Sequence, residues 1–306
     1  MKVFLSGATG FIGGRLAKPL SQAHEVVRGS RKPRPGFVHF DLDDEASIEE
    51  AFSGCDAAYF LAHSLTGARE DFAEHELKSA QRFARAAASQ KLKRVVYLGG
   101  LEPTAAPPSE HLRSRLAVGK ALREGGVPCL ELRASVIIGH GSASFRILRD
   151  LAARLPAMVL PAWLDSRTEP IAVDDVIAAL VKALEVPLPE SDWQDLPGPE
   201  TLSGREMLLR TARILGVKPR TWPVPLLTPR LSARWLWLIS GVDYRLAQEL
   251  VDGLQGDLLA QRRGFQAQLT PFDEAVKRAL AEEHVESLKG LAGLGWETLV
   301  RRLAPT

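Results

Sequence analysis

Cysteine is almost absent: this 306-residue chain has two, Cys55 and Cys129, each in or beside an apolar, strand-like run. Two such residues make no disulfide framework, and no His/Cys spacing matches a metal site, so no metal is expected. Both read as small buried hydrophobes in a reducing, cytoplasmic setting. A dominant charge is also missing. Lys and Arg number 39 against 37 Asp and Glu, a net charge of +2. There is no bulk attraction to nucleic acid or acidic lipid, and no basic stripe or nucleic-acid motif. No apolar run approaches the ~20 residues of a membrane-spanning helix. Met1–Gly14 has one early Lys2, a short apolar run and then glycines, unlike a secretory signal. Repeats and low-complexity segments are lacking. What remains is ordinary globular composition, 45% hydrophobic and 25% charged, ample for a large core.

The first half alternates short apolar runs with amphipathic stretches. Lys2–Ser6, His24–Arg28, Gly36–Phe40, Ala57–Leu61, Arg94–Leu98 and Pro128–Arg133 read as strands. Phe11–Gln22, Asp71–Ser89 and His111–Glu124 read as helices. Strand–helix alternation at this spacing predicts βαβ units and a parallel sheet, buried on both faces. The second half reads as mainly helical: Ser144–Arg154, Asp174–Glu185, Ser203–Leu215, Pro229–Ile239, Tyr244–Gln261 and Pro271–Glu283. Strand signals there are confined to Ala157–Leu160 and Thr221–Val224, and Pro187, Pro189 and Pro197–Pro199 mark a loop.

The strongest motif is Gly7-Ala8-Thr9-Gly10-Phe11-Ile12-Gly13, which follows the first strand and opens the first helix. Gly7 permits a tight turn, Gly10 lets backbone approach a pyrophosphate, and Gly13 lets the helix pack close to the sheet. The helix N-terminus then offers free N–H groups to the phosphates. The expected fold class is therefore α/β, a Rossmann doubly wound parallel sheet with a smaller, mainly helical C-terminal part. Residues 1–140 form the dinucleotide-binding unit. Residues 141–306 form the substrate-binding part, with 157–184 returning to the Rossmann edge. An acid ending the second strand would take the adenosine ribose of NAD. Here that strand runs into Arg28-Gly29-Ser30-Arg31-Lys32. Arg28, Ser30 and Arg31 suit a 2′-phosphate, which favours NADP (NADPH) over NAD; a solvated basic loop is the other reading.

In these motifs the chain resembles the short-chain dehydrogenase/reductase superfamily, in its extended and atypical, NmrA-like branches. The matches run in order from Gly7–Gly13 through Asp41-Leu42, Phe60-Leu61-Ala62-His63 and Leu132–Gly139 to Pro170–Val176. The resemblance implies that Asp41 and Leu42 flank the adenine, and that Leu61, Ala62 and His63 pass the cofactor ribose. It also places Leu98, Gly99 and Ala134 along the cofactor. The family's active site is a Ser after the fifth strand and a Tyr-x-x-x-Lys on the next helix. Here Gly99 or Gly100 stands at the Ser position, and the helix reads His111-Leu112-Arg113-Ser114-Arg115. His111 then replaces Tyr as proton donor, since imidazole titrates near neutrality, and Arg115 replaces Lys on the nicotinamide ribose. Alternatively the site is dead, or the acceptor takes its proton from water.

His140, Ser142 and Ser144 follow the sixth strand, as substrate contacts or as a helix cap. Trp222, Trp235, Leu236, Trp237, Leu238 and Ile239 read as a core helix, or else as an apolar substrate pocket or a peripheral membrane contact for a lipophilic substrate. The expected activity is NADPH-dependent reduction of a small hydrophobic substrate: a carbonyl, a quinone-like compound or a conjugated ring. The alternative is a non-catalytic dinucleotide sensor or assembly factor. A monomer or homodimer is expected, with no nucleic-acid partner.

Overall fold

The computed structural model describes residues 1–62, 72–104, 107–154, 157–160, 162–218, 220–223, 256–264 and 268–292. Seven strands build the central sheet: β1 (Lys2–Leu5), β2 (Glu25–Ser30), β3 (Val38–His39), β4 (Ala57–Phe60), β5 (Arg94–Gly100), β6 (Cys129–Ala134) and β11 (Asp192–Asp195). Their order is β11-β6-β5-β4-β1-β2-β3, and each neighbouring pair is parallel. The order reverses beside β1, which opens a crevice at the strands' carboxyl ends. The sheet is wound on both faces because successive side chains alternate. Val3 and Leu5 point into one core with Leu16, Leu20, Val176 and Leu180, from α1 (Phe11–Leu20) and α6 (Val173–Lys182). Phe4 points into the other, with Phe52, Phe83 and Leu122 from α2 (Glu45–Phe52), α3 (Phe72–Ser89) and α4 (Glu110–Arg123). There Phe83 meets Phe52 and Phe60 edge-on, both at 4.9 Å, an arrangement suited to the ring quadrupoles. Both cysteines are buried thiols in this second core, and burial pushes Cys129 up to about 12.

Beyond β6 the chain adds β7 (Ile137–Ile138), α5 (Ala143–Arg154), β8 (Ala157–Leu160), β9 (Arg167–Thr168), β10 (Ile171–Ala172), β12 (Leu202–Ser203), α7 (Gly204–Ile214), β13 (Arg220–Pro223) and α8 (Phe272–Ala292). Phe145, Met207, Phe272 and Val276 give this part its own apolar cluster. Among the described residues no helix is long and apolar enough to cross a membrane.

Three details depart from the sequence expectations. Helix α2 carries no long periodicity; Asp44 starts it by accepting the Ala46 N–H at 3.1 Å. The proline-marked loop contains β11, which completes the sheet beside β6. Residues 256–261, expected as the end of a helix, are not helical; Leu258 makes an isolated parallel bridge to Thr168. The Pro229–Ile239 helix, with Trp235, Leu236, Trp237, Leu238 and Ile239, lies outside the described residues.

Candidate cofactor and active site

The glycine turn is locked to the sheet by one hydroxyl. Buried Ser6 donates from Oγ to the Tyr59 carbonyl (2.8 Å) and accepts the N–H groups of Leu61 (2.9 Å) and Ala62 (3.2 Å). It thereby ties the end of β1 to the chain leaving β4. Gly7 follows at φ +63°, and a Cβ there would lie 2.5 Å from the Leu61 carbonyl oxygen. A Cβ on Gly13 would overlap the Gly7 carbonyl. Gly10 differs. Its N–H donates to Gly7 O (2.8 Å), its φ is −85°, and the nearest atom to a Cβ is 3.2 Å away. Gly10 caps α1 without a side-chain oxygen, so the first-turn N–H groups face the crevice uncapped by the chain's own side chains. A cradle that a side chain would fill, under a helix N-terminus, fits a pyrophosphate.

From this turn opens a cavity of about 1120 Å³. It gathers Gly7, Thr9, Gly10, Phe11, Ile12, Gly13, Ser30, Arg31, Asp41, Leu42, Leu61, Ala62, Leu98, Gly99, His111, Arg115 and Ala134 from distant points in the chain. Arg28 is not brought there: its guanidinium lies 4.6 Å from the Phe37 ring centroid. Lys32 and Arg34 line the basic end instead, and the Ser30 hydroxyl donates to Lys32 O (2.8 Å). His63 lies outside the described residues. Sequence reasoning missed Asp43, His75, Glu76 and Ser79, which also line the cavity. The last three share an i, i+4 and i+3 face of α3, and that spacing was the available signal. Asp43 accepts from His75 Nε2 (3.0 Å) and Arg82 (2.9 Å), which hold its carboxyl below the usual carboxylate range. Arg82 also donates to Leu42 O (3.0 Å), so α3 fixes the loop at the expected adenine side.

At the expected reaction centre, both glycines that stand for the family's serine are crowded. A Cβ on Gly99 would be 2.8 Å from Glu131 Oε1, and one on Gly100 2.7 Å from Leu112 Cδ1. Glu131 is fully buried and held by Arg133 (3.0 Å) and Arg123. Arg115 donates to the Leu98 carbonyl and lies 5.2 Å from the Tyr97 ring centroid. Tyr97 is no substitute acid: it is buried, its hydroxyl donates to Arg115 O (3.2 Å), and burial pushes it up to about 12. His111 stands on the first turn of α4, after the Ser109 cap, and lines the cavity.

The lining contributed by residues after Arg115 in the chain is mostly apolar. Val136, Ile137, Ile147, Leu148, Leu151, Leu164, Met207, Leu208 and Leu258 are accompanied by Ser135, Ser142 and Ser144, and no charged side chain is among the described residues there. Ser142 acts as a cap, donating to Ile137 O (2.8 Å) and accepting Phe145 N–H (3.4 Å). His140 does not line the cavity; its carbonyl accepts from Arg15 (2.7 Å).

Several solved structures share this architecture. Triphenylmethane reductase from Citrobacter sp. superposes with a TM-score of 0.73 at 17% identity, covering 92% of this chain and 100% of its own. UDP-glucose 4-epimerase from Thermotoga maritima, solved with UDP-glucose, gives 0.69 at 15%, covering 94% and 100%. The Bordetella bronchiseptica enzyme WbmH, solved with NAD+, gives 0.65 at 18%, covering 92% and 98%. At these identities the likeness shows the fold alone. No curated protein matches in sequence. Residues 3–192 match the NAD dependent epimerase/dehydratase family, a span that runs from β1 into β11 and takes in the glycine turn. The chain therefore belongs to the NAD dependent epimerase/dehydratase family, with the extended short-chain dehydrogenase/reductase fold.

Proposed function

We propose that this protein is an NADPH-dependent reductase of atypical short-chain type, acting on a hydrophobic carbonyl, quinone-like or conjugated ring compound. The observation that carries the reading is the charge-free, mostly apolar described lining that the chain after Arg115 contributes to the same cavity as the glycine cradle. A sugar-nucleotide diphosphate needs cations to neutralise it, and the described lining residues after Arg115 offer none. Gly7, Gly10 and Gly13 would hold the pyrophosphate, and Arg31, Lys32 and Arg34 a 2′-phosphate. A bound nicotinamide supplies the hydride. The chain's own residues exclude water with the apolar wall and donate the proton that completes reduction, from a His111 ring nitrogen. Arg115, fixed to Leu98, keeps a cation beside the ribose. The crowding at Gly99 and Gly100 favours a second reading, a non-catalytic dinucleotide sensor.

NADPH consumption against a panel of quinones, hydrophobic carbonyls and triphenylmethane dyes separates the two. Turnover is expected with at least one acceptor, and His111→Ala should lower it about a hundredfold to ten-thousandfold at unchanged NADPH affinity. NADPH binding without turnover of any acceptor supports the sensor. A His111→Ala variant at wild-type rate removes the acid role.

A further inference from the structure

Residues 256–264 form a short non-helical strap, far in sequence from the strands it touches. Arg263 bridges Asp195 in parallel beside edge strand β11, and the Leu258 N–H donates to Arg167 O (2.8 Å). Two buried carboxylates accept its backbone. Glu169, 3% exposed, takes the Ala260 N–H (2.6 Å) and the Arg263 guanidinium. Asp195, 2% exposed, takes the N–H groups of Gln261 (2.7 Å) and Arg262 (3.0 Å). Asp257 adds an outer tie, accepting Arg167 N–H (2.7 Å) and its guanidinium (2.7 Å), while its carbonyl accepts Thr104 N–H (3.2 Å).

Charge-assisted bonds are about twice as strong as neutral ones, and buried carboxylates are costly unless fully satisfied. Such a clamp fixes one apolar side chain. Leu258 is 9% exposed, packs with Leu101 and Leu112, and lines the cavity. Leu101 follows β5 and Leu112 is on α4, the helix that carries His111 and Arg115, so Leu258 packs on the two elements that frame the expected reaction centre and lines the same cavity. We propose that Leu258 is a specificity-determining wall of the substrate end, limiting the breadth of the apolar ring system admitted there, with Glu169 and Asp195 as its positioning residues. The substrate role rests on the reductase reading, the wall on the cavity alone.

The test compares Leu258→Ala, Leu258→Trp and wild type, each NADPH-saturated, for binding of Nile red and for reduction of a two-ring quinone and a three-ring dye. One methylene in an apolar pocket is worth about 10- to 200-fold in discrimination. Leu258→Trp is expected to weaken Nile red binding and to raise KM for the three-ring dye about tenfold, sparing the quinone; Leu258→Ala should do the reverse. Glu169→Gln, which does not line the cavity, should shift Nile red affinity as Leu258→Ala does, with NADPH affinity retained as proof of folding. Shifted Nile red binding with no reduction of either acceptor retains the wall and overturns the reductase reading. Reduction with unchanged ratios in both Leu258 variants overturns the wall and retains the reductase. A wild-type protein that neither binds Nile red nor reduces an acceptor overturns both.

Discussion

Two glycines of one motif should fail in opposite ways when given a side chain. Gly10 sits at φ −85°, with 3.2 Å between a Cβ and the nearest atom. Valine adopts that backbone readily, and losing glycine at an N-cap costs about 1 kcal/mol or less. The fold should survive Gly10→Val with a melting temperature a few degrees lower. The isopropyl group, however, fills the cradle beneath the helix N-terminus. Displacing a phosphate from two N–H groups forfeits about 1.5–3 kcal/mol each, hence at least about a hundredfold in Kd. Gly7 sits at φ +63°, where an L side chain costs about 1–2 kcal/mol, and its Cβ would lie 2.5 Å from the Leu61 carbonyl oxygen. Relieving that overlap costs about 1–3 kcal/mol more. That total is a large part of a stability of about 5–15 kcal/mol, so Gly7→Ala should melt well below Gly10→Val. NADPH fluorescence titration beside thermal melts reads both effects. Wild-type NADPH affinity in a folded Gly10→Val protein would refute the placement of the pyrophosphate on this turn.

The basic end carries a second expectation. Arg31→Ala with Arg34→Ala should weaken NADPH about tenfold to a hundredfold more than NADH, whereas Arg28→Ala should leave the ratio unchanged; equal losses for both cofactors would remove the 2′-phosphate role. Restoring the family serine should depend on position. Gly99→Ser meets Glu131, pinned by arginines, and should destabilise by about 1–3 kcal/mol, while Gly100→Ser meets only the end of Leu112 and should melt closer to wild type. Asp257 provides the pH dependence. Hydrogen bonds from Arg167 lower its carboxyl in the folded state, so its contribution is complete above the unfolded value of about 3.9 and is lost as pH falls through the lower folded value. The melting difference between wild type and Asp257→Asn should be full at neutral pH and shrink as the pH falls through that window; a difference that grows on acidification would contradict the assignment.

The sequence by itself determined six of the sheet's seven strands and the cradle, because these are written in local patterns. Lys2–Leu5 and Ala57–Phe60 are apolar runs short enough to be buried strands, and Gly7, Gly10 and Gly13 are spaced by the geometry of a single turn. The His111-to-Arg115 register was likewise legible, since i, i+4 residues share a helix face wherever the helix lies. Tertiary structure alone decided the rest. Arg28 and Arg31 are near neighbours in sequence, yet Phe37 holds one away from the cavity that the other lines. The crowding at Gly99 and Gly100 comes from Glu131 and Leu112, on other elements. β11 escaped notice because Asp-Trp-Gln-Asp is no apolar run; it is a strand because β6 offers its free edge. Leu258 had no signal at all. Its place beside Leu101 and Leu112 depends on buried carboxylates at 169 and 195 accepting backbone N–H groups more than sixty residues away, a pairing that no local periodicity encodes.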